Sequence, residues 1–148
     1  MSLDNKRSFF RINLPQPLGA DLKIIGTDHI DQHPKLHKAA IIDISAGGAR
    51  FYTHAPLPDD HNLLAELKFL CMGKELRPYG VIVRSSLPEP GHCEYSLQFS
   101  LDDTDTADLA GTLNQLAIRL RKVTPMTSCS FLTPEEAARF FPLTACLA

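Results

Sequence analysis

Short runs of alternating apolar and polar residues fill the stretch from Leu18 to Ser100, and each run ends in a cluster of turn formers. No other feature constrains the fold as much. Side chains of a strand point alternately to two faces, so a period of two marks a sheet with one face in a core. Leu18 to Gly26 carries Ala20, Leu22 and Ile24 on one side, and Thr27 to Leu36, with Asp28, Asp31 and Pro34, follows as a polar loop. His37 to Ser45 sets Ala40, Ile42 and Ile44 against Ile41 and Asp43, and Gly48 to His54 is its hairpin partner, with Ala49 and Phe51 on one side. Pro56, Pro58 and two aspartates then break the chain. Leu63 to Met72 alternates Ala65, Leu67, Phe69 and Cys71 with Glu66 and Lys68. Glu75 to Ser86 alternates Tyr79, Val81 and Val83 with Ile82 and Arg84. In His92 to Ser100, Cys93, Tyr95, Leu97 and Phe99 face inward while Glu94, Ser96 and Gln98 face out. Six such strands predict a mainly β fold, a small antiparallel barrel or sandwich. Closure would remove the exposed edges.

The period then changes. Leu109, Leu113, Leu116, Ala117 and Leu120 form one stripe of an amphipathic helix. Asp102, Asp103, Asp105 and Asp108 crowd its start and Arg119, Arg121 and Lys122 its end, as the helix dipole favours, before Pro125 stops it. A second, short helix is predicted over Pro134 to Phe141, with Thr133 as N-cap and Glu136 as its capping-box partner.

A chain of 148 residues with 44% hydrophobic and 22% charged residues suits one domain with a real core. Its net charge of −2 argues against coating DNA or RNA, which needs a basic balance. Basic character is local: Lys6, Arg7 and Arg11, then Arg119, Arg121 and Lys122. No run is apolar enough to read as a secretory signal or a membrane span. Cys71, Cys93, Cys129 and Cys146 lack metal-site spacing and read as reduced thiols packed in a core, which points to the cytoplasm.

Two short motifs remain. Arg7-Ser-Phe-Phe-Arg11 carries two guanidinium forks, each matched to phosphate oxygens or to the O6/N7 edge of guanine. Asp43-Ile-Ser45-Ala-Gly47-Gly48 places a carboxylate and a hydroxyl on one strand face, then bares the backbone with two glycines. An acid accepts from guanine N–H groups, and a hydroxyl donates and accepts. Taken singly, the arginines describe a solvated face and the second motif a strand entering a turn. Ser45 does not make a hydrolase, because the nucleophile elbow GxSxG needs glycine where Asp43 stands. His29, His33 and His37 have helical spacing, but Pro34 makes their segment an irregular loop rather than a metal site.

RxxxR followed by DxSxxG resembles the signature of the PilZ family, whose members bind the bacterial messenger cyclic di-GMP. The resemblance implies a six-stranded antiparallel PilZ-type β-barrel with a C-terminal amphipathic α-helix, preceded by a flexible segment. It divides the chain into residues 1–12, a barrel plus helix at 13–123, and an extension with the short helix at 124–148. It implies a ligand site of Lys6, Arg7, Arg11, Asp43, Ser45, Gly47 and Gly48, no catalysis and no cofactor. Lysine at position 6 keeps the charge but loses the fork, so one or two nucleotides per protomer stays open. Arg50, just past the motif, either reaches the site or faces water, and the second is the reading taken. The implied function is a cyclic di-GMP receptor or adaptor that changes its N-terminal conformation and signals to a partner protein, with homodimer formation a further option. The alternative is a PilZ-like interaction module that binds no nucleotide. Motility, exopolysaccharide and adhesion are not separated as outputs.

Overall fold

A computed structural model describes residues 10–26, 36–54, 57, 63–83, 93–121 and 129–140. Its strands are β1 (Ile12–Gly26), β2 (Leu36–Ser45), β3 (Gly48–Thr53), β4 (Leu64–Cys71), β5 (Lys74–Leu76), β6 (Tyr79–Val83) and β7 (Glu94–Phe99). The helices are α1 (Asp103–Leu120) and α2 (Pro134–Ala138). Every strand pairing is antiparallel, in the order β1-β2-β3-β7-β6-β4, and β4 pairs back onto β1 to close a six-stranded barrel. The short β5 is a hairpin return on β4, through Met72 and Gly73, both with left-handed φ.

The length of β1 makes closure possible. Its residues from Ile12 to Lys23 pair with β2, while Asp21 to Gly26 pair with β4, so Leu22 has a neighbour on each side, His37 and Leu67. The inward faces meet in one core built on Leu18, Leu22, Ile41, Ile44, Phe51, Leu67 and Leu97. Leu109, Leu113 and Leu116 of α1 belong to the same core, as their spacing predicts. Burying one such side chain contributes about 1.5–3 kcal/mol, which is what holds so small a closed sheet against chain entropy. Asp102 caps α1 by accepting from the Asp105 N–H, and Thr133 and Glu136 form the predicted capping box of α2.

Three local expectations are corrected. The first strand begins at Ile12, not Leu18: Pro15 and Pro17 cannot donate to a ladder, yet the strand passes through them by slipping register between Asn13 and Leu18. Simple alternation fails in β2, where Ile41 and Ile44 are both fully buried and Ile42 is only half-buried. The irregularity between Ile41 and Asp43 shifts the phase there. The run from Glu75 to Ser86 is two strands, not one, parted at Arg77 and Pro78. Within it Tyr79 and Val83 are exposed while Ile82 packs on the core.

Residues 129–133 complete the barrel rather than hang from it. Below their paired segments β1 and β4 diverge, and this stretch lies between them. The Gly19 N–H donates to the Ser130 carbonyl (2.7 Å), the Ser130 N–H to the Leu70 carbonyl (2.9 Å) and the Leu132 N–H to the Pro17 carbonyl (2.8 Å). The Ser130 hydroxyl donates to the Gly19 carbonyl at 2.8 Å and accepts from the Leu70 N–H at 3.2 Å. Phe140, just beyond α2, is buried with its ring 4.1 Å from that of His54.

Candidate functional site

The β2–β3 hairpin has a two-residue turn, Ala46 and Gly47, so pairing runs outward from Ser45↔Gly48 to Asp43↔Arg50. The Gly47 N–H donates to the Ser45 hydroxyl oxygen at 3.1 Å, and the Gly47 carbonyl accepts from Phe99 N–H of β7 at 3.0 Å. A Cβ on Gly48 would come within 2.6 Å of the Leu97 carbonyl, so glycine is required by the close approach of β7. Of the glycine pair only Gly47 lies in the turn, Gly48 being the first residue of β3, and Ser45 is a buried turn-bracing hydroxyl whatever else it binds.

Asp43 is buried (2% exposed), and each of its carboxylate oxygens meets a guanidinium. Arg11 Nη1 donates to Oδ1 at 2.5 Å, and Arg50 Nε donates to Oδ2 at 2.9 Å. Register explains both. Asn13 stands opposite Asp43, and Arg11, two residues earlier on the same face, approaches it diagonally. Arg50 is directly opposite on the other side. Arg50 also reaches Glu94 of β7 through Nη1 at 3.4 Å, and the Tyr52 hydroxyl donates to Glu94 at 3.0 Å. Burial pushes the Tyr52 hydroxyl above its usual pKa, and the bond to Glu94 adds to this. The result is a lattice of two guanidinium groups, two carboxylates and a phenol across β3, β7, β2 and the root of β1.

Charge balance governs its energetics. A carboxylate as buried as Asp43 would cost several kcal/mol, on the order of 3–5, if left unpaired. Both arginine side chains are about half exposed (51% and 45%), so water screens each contact. Their outer faces can still meet an anion or a purine edge.

Of the expected site residues, the fold brings Arg11, Asp43, Ser45, Gly47 and Gly48 to one end of the β1–β2–β3 surface. Lys6 and Arg7 lie outside the described residues, as do His29 and His33. Arg50 does not simply face water; it is the second partner of Asp43. Counting back across a two-residue turn from Ser45↔Gly48 would have revealed this from the sequence. Glu94 and Tyr52 carried no local signal, since their meeting depends on β7 lying beside β3. Among the described residues no group of three His, Cys, Asp or Glu could hold a metal ion. No helix among them is long and apolar enough to cross a membrane. Cys71, Cys93 and Cys129 are buried free thiols, and Cys146 lies outside the described residues.

The family model of the PilZ domain matches residues 5–117, a span containing both motifs. The chain belongs to the PilZ family. PilZ domains are binding modules for cyclic di-GMP rather than enzymes, and the closed barrel with its C-terminal helix fits that membership. No match is found among curated proteins.

Proposed function

We propose that this PilZ chain is a cyclic di-GMP receptor or adaptor, with Lys6, Arg7, Arg11, Asp43, Ser45, Gly47 and Gly48 as its ligand site. The observation that carries this reading is the contact of Arg11, the last residue of RxxxR, with Asp43, the first of DxSxxG. Two motifs separated by 32 residues meet in one charge-balanced cluster whose guanidinium groups are half exposed. The arginines supply forks for phosphate and for the guanine O6/N7 edge, Asp43 an acceptor for guanine N–H groups, and Gly48 a backbone without a side chain. Phosphates neutralising Lys6, Arg7 and Arg11 would fold the N-terminal segment over the barrel, and the surface so formed would be what a partner protein recognises. Ordering costs about 1–2 kcal/mol per residue, so only a short stretch can be fixed this way, and Arg11 is already its anchor.

Calorimetric titration of the full chain with cyclic di-GMP tests the reading. Saturable binding is expected, with cyclic di-AMP much weaker and Asp43→Ala narrowing the difference. A parent protein that binds neither dinucleotide, or both equally, would refute it. Amide exchange supplies the conformational part: protection of residues 5–12 should rise with nucleotide while the barrel strands change little.

A further inference from the structure

The lattice around Asp43 poses a conflict for the site just proposed. Both carboxylate oxygens are engaged, Oδ1 by Arg11 and Oδ2 by Arg50. A guanine N–H can be accepted by Asp43 only if one arginine yields its oxygen.

The two arginines are not held alike. Arg50 lies inside β3, paired on both sides, to Asp43 of β2 and to Ser96 of β7. Its guanidinium has two acids, Asp43 and Glu94, and Glu94 is itself braced by the Tyr52 hydroxyl. Arg11 precedes the first residue of β1 and, among the described residues, has the single ionic partner Asp43. Its backbone lies at the end of a strand, where chains fray. Swinging Arg11 away breaks one charge-assisted contact, whereas moving Arg50 breaks two and strips Glu94 of a cation.

We propose that Arg50 is a positioning residue of the nucleotide site: pinned by Glu94, it holds Oδ2 of Asp43 throughout, while Oδ1 is the acceptor that Arg11 gives up to guanine. This rests on the cyclic di-GMP reading. In the exchange Arg11 leaves a carboxylate and gains a phosphate or the guanine O6/N7 edge, so its charge stays compensated. Asp43 trades a guanidinium donor for neutral N–H donors but keeps Arg50, so the buried carboxylate is never left without a cation. The protein's own arginine thus competes for the base-reading acceptor. Only a ligand that offers both an anion for Arg11 and N–H donors for Asp43 satisfies the exchanged state. Guanine offers such donors and adenine has no equivalent N1–H, so the exchange itself discriminates between the two dinucleotides.

The test uses the full chain with Arg50→Ala, Arg50→Lys and Glu94→Gln, titrated with cyclic di-GMP and cyclic di-AMP at several salt concentrations. Arg50→Ala should weaken cyclic di-GMP about tenfold, the scale of one charge-assisted bond, while cyclic di-AMP changes little, so discrimination narrows. Glu94→Gln should move both in the same direction by less, and Arg50→Lys should recover part of the loss. The salt dependence should match that of the parent, because Arg50 touches no phosphate. Unchanged affinity in Arg50→Ala, or equal weakening of both dinucleotides with a shallower salt slope, would overturn the proposal. The second result would make Arg50 a phosphate ligand. A separate measurement needs no nucleotide: of the protons that the two arginines give to Asp43, followed by nitrogen-edited NMR, the Nε–H of Arg50 should exchange with water more slowly than the Nη1–H of Arg11. Equal exchange would overturn the asymmetry even if cyclic di-GMP binds. If the parent fails to bind while the asymmetry is found, it is the ligand assignment that falls, and with it the exchange at Oδ1, but not the clamp of Arg50 on Asp43.

Discussion

Replacing Ser130 tests whether the segment after α1 is structural. Four hydrogen bonds run through this residue: its N–H to the Leu70 carbonyl, the Gly19 N–H to its carbonyl, its hydroxyl to the Gly19 carbonyl, and the Leu70 N–H to its hydroxyl. Ser130→Pro removes the N–H and the hydroxyl, and with them three of these four bonds, leaving backbone groups of β1 and β4 unsatisfied where those strands part. At about 1 kcal/mol net for each bond the loss would be about 3 kcal/mol. Leu70 is 38% exposed, so water can reach part of the seam and about 2 kcal/mol is the better expectation. For a chain of this size that lowers the melting temperature by about 4–8 °C. Ser130→Ala keeps both backbone bonds, loses the two made by the hydroxyl, and should cost about two thirds as much. Differential scanning calorimetry of parent, Ser130→Ala and Ser130→Pro measures the series. Three equal melting temperatures would refute the view that residues 129–133 close the barrel.

Other substitutions probe the site and the core. Arg7→Ala and Arg11→Ala should each weaken cyclic di-GMP by about ten- to hundredfold, since a charge-assisted bidentate contact contributes roughly 1.5–3 kcal/mol. Calorimetry would expose a double variant that binds like the parent. Gly48→Ala drives a Cβ into the Leu97 carbonyl and should cost about 1–3 kcal/mol in urea unfolding. Burial and the neighbouring Cys129 push the Cys71 thiol up to about 12, from an ordinary value of 9.0. Because the folded pKa lies above the unfolded one, this contribution is complete below pH 9 and fades as pH rises towards 12. Urea midpoints should therefore fall across that window, and less steeply in Cys71→Ala.

How much was legible in the sequence follows from how local each cause is. The alternation through Leu63 to Met72 and His92 to Ser100 reports strand faces directly, since pleating acts residue by residue, and both runs bury the predicted side chains, with Phe99 only half-buried at the end of the second. The stripe of α1 and the capping box at Thr133 and Glu136 are equally local and equally readable. So is the two-residue turn at Ala46 and Gly47, which by itself sets Arg50 opposite Asp43. The phase slip at Ile42 and the passage of β1 through Pro15 and Pro17 were not legible, because each is imposed by neighbouring strands. Nor did any spacing join Arg11 to Asp43, Glu94 to Arg50 or Ser130 to Gly19 and Leu70. Local propensity and pattern chose the elements. Closure of the barrel chose their neighbours, and a buried carboxylate finds its cations only through those neighbours.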